Sequence, residues 1–304
     1  MNTSTDTLKN RVAASPRLQN VLVLALLSII WGSSFILIKK SLNVYSPIQL
    51  ALLRQSITAA AFLPFLIYNW SKVDWKRLHF YILIGLCGSA LPSFLFAFAQ
   101  QHISSSVAGI LNSLTPLCTL LLGIFIFRTA FVASKLVGVL LGLAGAAALI
   151  LLNQSDSLQG EIGYALLIVL ATICYGINAN LVTAVFRDLT SMEISMVGFT
   201  IVGTISFIFL AFGTDFFTVM ATQPQAWQAF GYVSLLSLVG TVLSTLIYFR
   251  LIQQTNPVFA STVAYLMPLV SVGWGVLDGE SIGWQHLAGM ALILAGVYLS
   301  RKGG

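Results

Sequence analysis

Apolar residues in this chain come in long unbroken runs, not in the short alternation of a half-buried strand or a surface helix. Ten runs stand out, at about 20–39, 47–68, 79–100, 104–127, 133–152, 161–185, 194–212, 228–250, 257–277 and 283–300. Crossing the hydrocarbon of a bilayer takes roughly 20 residues of helix, and a helix satisfies its backbone hydrogen bonds within one segment. Each run therefore predicts a transmembrane helix. The separators are short and polar, such as Asn-Trp-Ser-Lys-Val-Asp-Trp-Lys-Arg (69–77) and Gln-Ser-Asp-Ser-Leu-Gln-Gly-Glu (154–161). None is long enough for a soluble domain.

Composition agrees: 58% of the 304 residues are hydrophobic and only 8% are charged, too few charges to cover a soluble protein of this size. The net charge of +6 reads as basic cytoplasmic loops, not as a nucleic-acid surface. With a cytoplasmic N-terminus, the inner side holds twelve basic residues: Lys9, Arg11, Arg17, Lys72, Lys76, Arg77, Arg128, Lys135, Arg187, Arg250, Arg301 and Lys302. The outer side holds Lys39 and Lys40, and Arg54 lies inside a run. The bias predicts cytoplasmic termini and supports ten crossings. Lys9, Arg11 and Arg17 precede the first run as in a signal peptide. The Ile-Lys-Lys-Ser-Leu that follows the run is a poor cleavage site, so a retained first helix is expected.

The chain also repeats itself. Leu114-Thr-Pro-Leu117 returns as Leu266-Met-Pro-Leu269, an offset of 152 that also pairs Gly88 with Gly240, Leu91 with Leu243, Gln101 with Gln253, Ala108 with Ala260 and Gly123 with Gly275. At offset 151, Leu141-Gly-Leu-Ala-Gly145 pairs with Leu292-Ile-Leu-Ala-Gly296. At offset 144, Trp31-Gly32 pairs with Tyr175-Gly176. Five helices per repeat is odd, so the second half enters the membrane inverted. The expectation is an all-α integral membrane protein of two inverted five-helix repeats, residues 1–159 and 160–304, with a site near the midplane where they meet.

Several of these features together resemble the EamA-type branch of the drug/metabolite transporter superfamily. They are Trp-Gly-Ser-Ser-Phe in the first run, Pro47 with Arg54 in the second, the Pro116 and Pro268 helices and the Leu-x-Leu-Ala-Gly ends. The resemblance implies a secondary transporter that exports or exchanges small metabolites, often amino acids, through a central cavity. It also implies a cell-membrane (inner membrane) location. One departure is visible: Gly279-Glu280 follows the second proline helix, whereas Arg128-Thr129 stands at the matching place in the first half.

Arg54 sits about seven residues, roughly 10 Å, into its helix. An arginine at that depth is costly and by default marks function; the alternative is a structural arginine bonded to carbonyls of neighbouring helices, or one that snorkels to the outer surface. Trp31 and Ser34 share one face of the first helix, and Tyr175 and Asn178 share the matching face of the sixth. An aromatic with a convergent polar group suits an organic solute, though interhelical hydrogen bonding explains the pattern equally. Asn112 lies one turn before Pro116, and Tyr265 lies close to Pro268. Each proline frees a carbonyl one turn back, near Asn112 and Ala264, that is available to a solute, and each proline is a candidate hinge. Phe96, Gln100, Thr241 and Tyr248 are further candidates, Tyr248 the one taken into the substrate-binding set.

Gly138 and Gly142 form a GxxxG stripe for close helix packing and a candidate homodimer face. Cys87, Cys118 and Cys174 lie in apolar runs as small packing residues. His79, His102 and His286 are far apart and have no metal-ligand spacing. No phosphate loop, no catalytic cluster and no cofactor are expected; the partners are a small-molecule solute and the lipid bilayer. Asp278 and Glu280 sit at the outer end of the ninth run with no obvious partner. A channel or a membrane enzyme is the rival class. Within carriers, the missing carboxylate in the middles of the first-half helices favours a neutral or zwitterionic solute, such as an amino acid, over a proton-coupled drug. A drug or other metabolite exporter is the alternative.

Overall fold

The computed structural model describes residues 16–129 and 158–280, with 137–138, 140–141, 144–145, 283–284, 287–292 and 295. Among these residues every regular element is helical. Eight helices are long and apolar enough to span a bilayer: α1 (Leu18–Ser41), α2 (Pro47–Tyr68), α3 (Trp75–Ala99), α4 (Ser105–Phe125), α5 (Ile162–Val185), α6 (Ser191–Gly213), α7 (Ala226–Gln254) and α8 (Pro257–Leu277). They correspond to the first four predicted runs and to the sixth through ninth. The fifth run falls largely, and the tenth by about half, outside the described residues, and so does Gly142 of the fifth run's GxxxG stripe.

Helix starts and interruptions follow local chemistry. Ser46 and Thr190 cap α2 and α6 with reciprocal capping boxes to Gln49 and Glu193, which satisfy the first free N–H groups. Those two caps are 144 residues apart. Ser104 and Asn256, 152 apart, cap α4 and α8 by accepting from Val107 N and Phe259 N. α3 widens into a π-helical turn at Leu86–Ala90, and α7 does so at Leu238–Leu243, again 152 residues on. Such turns leave backbone carbonyls outside the regular ladder and occur often at functional positions.

The long contact of the bundle is α2 against α6. α1 lies on α8 as α5 lies on α4; α3 touches α5 and α6, and α7 touches α1 and α2. Close approach in the first two pairs depends on matched glycines. A Cβ at Gly32 would stand 2.6 Å from Val270 Cβ, and one at Gly176 would stand 3.0 Å from the backbone of Cys118 and Thr119. Two apolar clusters fill opposite ends of the bundle. One includes Phe35, Leu50, Phe96, Leu111 and Val233, the other Leu27, Phe62, Tyr81, Phe199 and Phe249. Trp31 packs against both, which marks the level at which they meet.

Candidate functional site

A cavity occupies that level. Its volume is about 90 Å³. Its walls come from α1, α2, α3, α4, α5, α7 and α8. Trp31, Ser34, Arg54, Asn112, Tyr175, Asn178 and Tyr248 all line it. Tyr265 does not: it is 4% exposed and packs with Ile110 and Val272. α8 restarts at Val263 after a turn at Thr262, and this turns Ala264 and Met267 toward the cavity and Tyr265 toward α4.

The two π-helical turns supply the cavity with glycines. Gly88 and Gly240 line it, and each faces the polar residue that the repeat pairs with the other. A Cβ at Gly240 would stand 3.3 Å from Ser34 Oγ, and one at Gly88 would stand 2.9 Å from Asn178 Oδ1. Trp31 Nε1 donates to the Gly240 carbonyl at 2.8 Å, a carbonyl within the π turn. The indole also meets the Tyr248 ring edge to face at 5.1 Å, and Tyr175 stacks beside Phe96 at 6.3 Å; these four rings line the chamber together with Phe35 and Phe249. These glycines and Thr241 carry more of the site than their composition announced. The offset that pairs the glycines was the available signal.

Arg54 is 9% exposed. Its Nε donates to Thr241 Oγ1 at 3.1 Å; among the described residues, that is the one hydrogen bond its guanidinium makes to protein. Arg54 is also the one charged side chain among the described cavity-lining residues. Asn178 is 4% exposed, and its Oδ1 has no hydrogen-bond partner.

The proline expectations are partly corrected. The helix breaks at Ser113–Leu114, and Pro116 falls in the first turn of the second segment, Thr115–Phe125, where a missing N–H costs nothing. The Asn112 carbonyl is not free for a solute, because Thr115 Oγ1 donates to it at 2.7 Å. The Asn112 amide meets Met267 Sδ at 3.5 Å. Pro268 lies inside its helix, and Ala264, one turn before it, lines the cavity. Gln100 donates to the Phe35 carbonyl at 2.9 Å and does not line the cavity.

Asp278 and Glu280 do have partners. Lys39 Nζ lies 2.7 Å from Asp278 and 2.9 Å from Glu280, and Lys40 pairs with Asp278. Gly279, at φ 83°, supplies the left-handed turn that a β-carbon disfavours. The turn closes with Glu280 N donating to Gly275 O at 2.8 Å and swings the carboxylate onto the start of α4. There Glu280 accepts from Ser105 N at 3.1 Å, Ser106 N at 3.3 Å and Ser106 Oγ at 2.5 Å. Burial alone would push the Glu280 carboxyl up; the Ser106, Lys39 and backbone bonds more than offset it and hold the group below the ordinary carboxylate range. Hydrogen bonds from Lys39 and Lys40 hold Asp278 low as well. The first half builds the same turn, with Arg128 at φ 53° and Thr129 N donating to Gly123 O at 2.9 Å. A threonine stands there in place of the acid, so among the described residues it is the second half's turn that carries a carboxylate paired with lysines. At the other end Arg77 joins α3 to the loop after α5 through Asp188 at 2.7 Å and Val185 O at 3.0 Å. Among the described residues no cluster of metal-ligating side chains occurs.

A bundle of spanning helices around a chamber of this kind is the build of a membrane transporter, and sequence comparison agrees. The EamA-like transporter family matches residues 19–151 and 162–301, nearly the whole chain, and the chain belongs to that family. It is a multi-pass membrane transporter of the drug/metabolite type. It is 26% identical over 281 residues to the uncharacterized inner membrane transporter YedA of Escherichia coli (strain K12), covering 91% of this chain and 89% of that one. It is equally similar to an uncharacterized transporter of Archaeoglobus fulgidus, covering 91% and 97%. It is 27% identical over 284 residues to the uncharacterized transporter YcxC of Bacillus subtilis (strain 168), covering 90% and 89%. A solved crystal structure superposes with a TM-score of 0.64 at 17% identity, covering 92% of this chain and 96% of that one; at that identity the likeness concerns the fold.

Proposed function

We propose that the protein is a secondary transporter that exports or exchanges small organic metabolites, amino acids or related neutral or zwitterionic compounds, by alternating access of two inverted five-helix halves. The observation that carries this reading is the composition of the chamber. Trp31 and Tyr175, Ser34 and Asn178, Gly88 and Gly240, Phe96 and Tyr248 are four pairs of lining residues, each pair related by the offset of 144 or 152. A solute held between matched faces of two halves meets equivalent surroundings whichever side is open. The exchange of packing partners, α1 on α8 against α5 on α4, and the paired caps and π turns support two halves related by a pseudo-two-fold axis. The Lys39–Asp278–Glu280 cluster then closes the side that the basic residues assign to the exterior, and both termini are cytoplasmic. Pro116 and Pro268 are the hinges, each close after a break in its helix, at Ser113–Leu114 and at Thr262, because such element ends absorb backbone change.

Among the described residues the lining holds no carboxylate, which favours a neutral or zwitterionic solute over a cationic drug exchanged for protons. Purified protein in liposomes tests the reading by counterflow. Unlabelled neutral amino acid inside the vesicles stimulates uptake of the labelled compound. A channel gives uptake without that stimulation, and no uptake of any compound in an amino-acid panel refutes the proposal.

A further inference from the structure

We infer that the chamber takes a solute with a single anionic group and a separate N–H donor, with Arg54 receiving the anion and Asn178 Oδ1 the donor; this rests on the transporter reading above. Arg54 is almost wholly removed from solvent, and among the described residues that line the chamber none supplies a countercharge. A buried cation without a partner is expensive, and a carboxylate that docks against it repays that cost with two parallel charge-assisted hydrogen bonds. The geometry leaves both terminal nitrogens for that task, since Nε alone is bound, to Thr241.

Asn178 is the second polar element. Its Oδ1 is buried, unpartnered and lodged against Gly88 on the chamber wall. An orphaned acceptor in a dry site is costly, and a solute N–H or ammonium removes the penalty. Tyr175 connects the two groups. It lies one helical turn before Asn178 on the same face and lines the chamber with Arg54. The rings of Trp31, Tyr248, Phe96 and Tyr175 remain for an apolar substituent and also attract an ammonium over their faces. A second anionic group has no second cation to meet among the described lining residues. A solute lacking its anion sets a cation beside Arg54. Monocarboxylates with an amino group fit; amines, amino amides and dicarboxylates do not.

The test uses the full chain in liposomes and measures counterflow of L-leucine and L-phenylalanine. The comparison compounds are their amides, their α-keto acids and L-glutamate. The free amino acids are expected to show apparent KM values at least tenfold below those of the amides, and glutamate is expected to be poorly carried. Arg54→Gln should bring the acid-to-amide ratio toward one, and Arg54→Lys should retain it. Asn178→Leu should erase the preference for amino over keto acid and leave the acid-to-amide ratio intact. Amides carried as well as the acids by the unmodified protein overturn the inference and leave the transporter reading standing. So does an Arg54→Gln protein that keeps the ratio. If Arg54→Gln does not fold, the acid-to-amide comparison on the unmodified protein and the Asn178→Leu comparison decide. Absence of counterflow for every compound overturns the transporter reading and this inference with it.

Discussion

The bond from Glu280 to the start of α4 is expected to hold the exterior side shut, and Glu280→Gln is the perturbation that isolates it. The glutamate side chain is 10% exposed and accepts from Ser105 N, Ser106 N, Ser106 Oγ and Lys39 Nζ. Hydrogen bonds to an ionised group contribute about 1.5–3 kcal/mol each, against about 0.5–1.5 for neutral pairs. Glutamine keeps one acceptor oxygen and places an N–H₂ where donors already point. A net loss of about 1–3 kcal/mol follows, which at about 1.4 kcal/mol per decade is roughly a 5- to 150-fold shift toward the outward-open state. Lys39 is 36% exposed, so Lys39→Met should cost only about 0.2–1 kcal/mol, under about fivefold. The assay is the rate at which a membrane-impermeant maleimide, added outside intact cells, modifies Ser34→Cys in a background without Cys87, Cys118 and Cys174. Glu280→Gln should speed labelling strongly and Lys39→Met weakly. Equal rates in the Glu280→Gln protein and its parent, or a larger effect from Lys39→Met, refute the idea that the carboxylate on α4 is the closing contact.

Three further outcomes are expected. Reporter fusions after Lys302 and after Ser155 should report cytoplasm and exterior respectively; the same side for both refutes ten crossings. Gly32→Leu and Gly176→Leu should each lower the folded yield in mild detergent, because both drive a side chain into the neighbouring helix at about 1–3 kcal/mol or more; normal melting of both variants refutes the close-packing argument. Glu280 and Asp278 have carboxyls held below their ordinary range. Their contribution is therefore complete above the unfolded value near 4 and is lost as pH falls through the lower folded values. Stability should be flat from about pH 5.5 to 8 and fall below about 4, with a shallower acid limb in Glu280→Gln; a midpoint between pH 6 and 7 contradicts the assignment.

The apolar runs determined the spanning helices without help from packing. Lipid offers the backbone no hydrogen bonds, so a run of about 20 apolar residues has one stable structure there. The offset of 152 likewise carried the paired positions Gly88 and Gly240, and the offset of 144 carried Trp31 with Tyr175 and Ser34 with Asn178. Seven of the eight residues taken from sequence into the substrate-binding set line one chamber, because side chains at matched positions on matched helices face the same way. Which helix face turned inward was another matter near the breaks. Tyr265 read as a chamber residue and is packed away, since the interruption at Thr262 resets the phase of α8. Asn112 kept its place but lost its free carbonyl to Thr115. The partners of Asp278 and Glu280 lie about 240 positions upstream, at Lys39 and Lys40, and no local pattern announces a pairing at that separation. The π turns were hidden for the same reason: a leucine-rich stretch reads as regular helix. Whether its carbonyls stay in the ladder or, like that of Gly240, accept from an indole 209 residues away is decided by what packs against it.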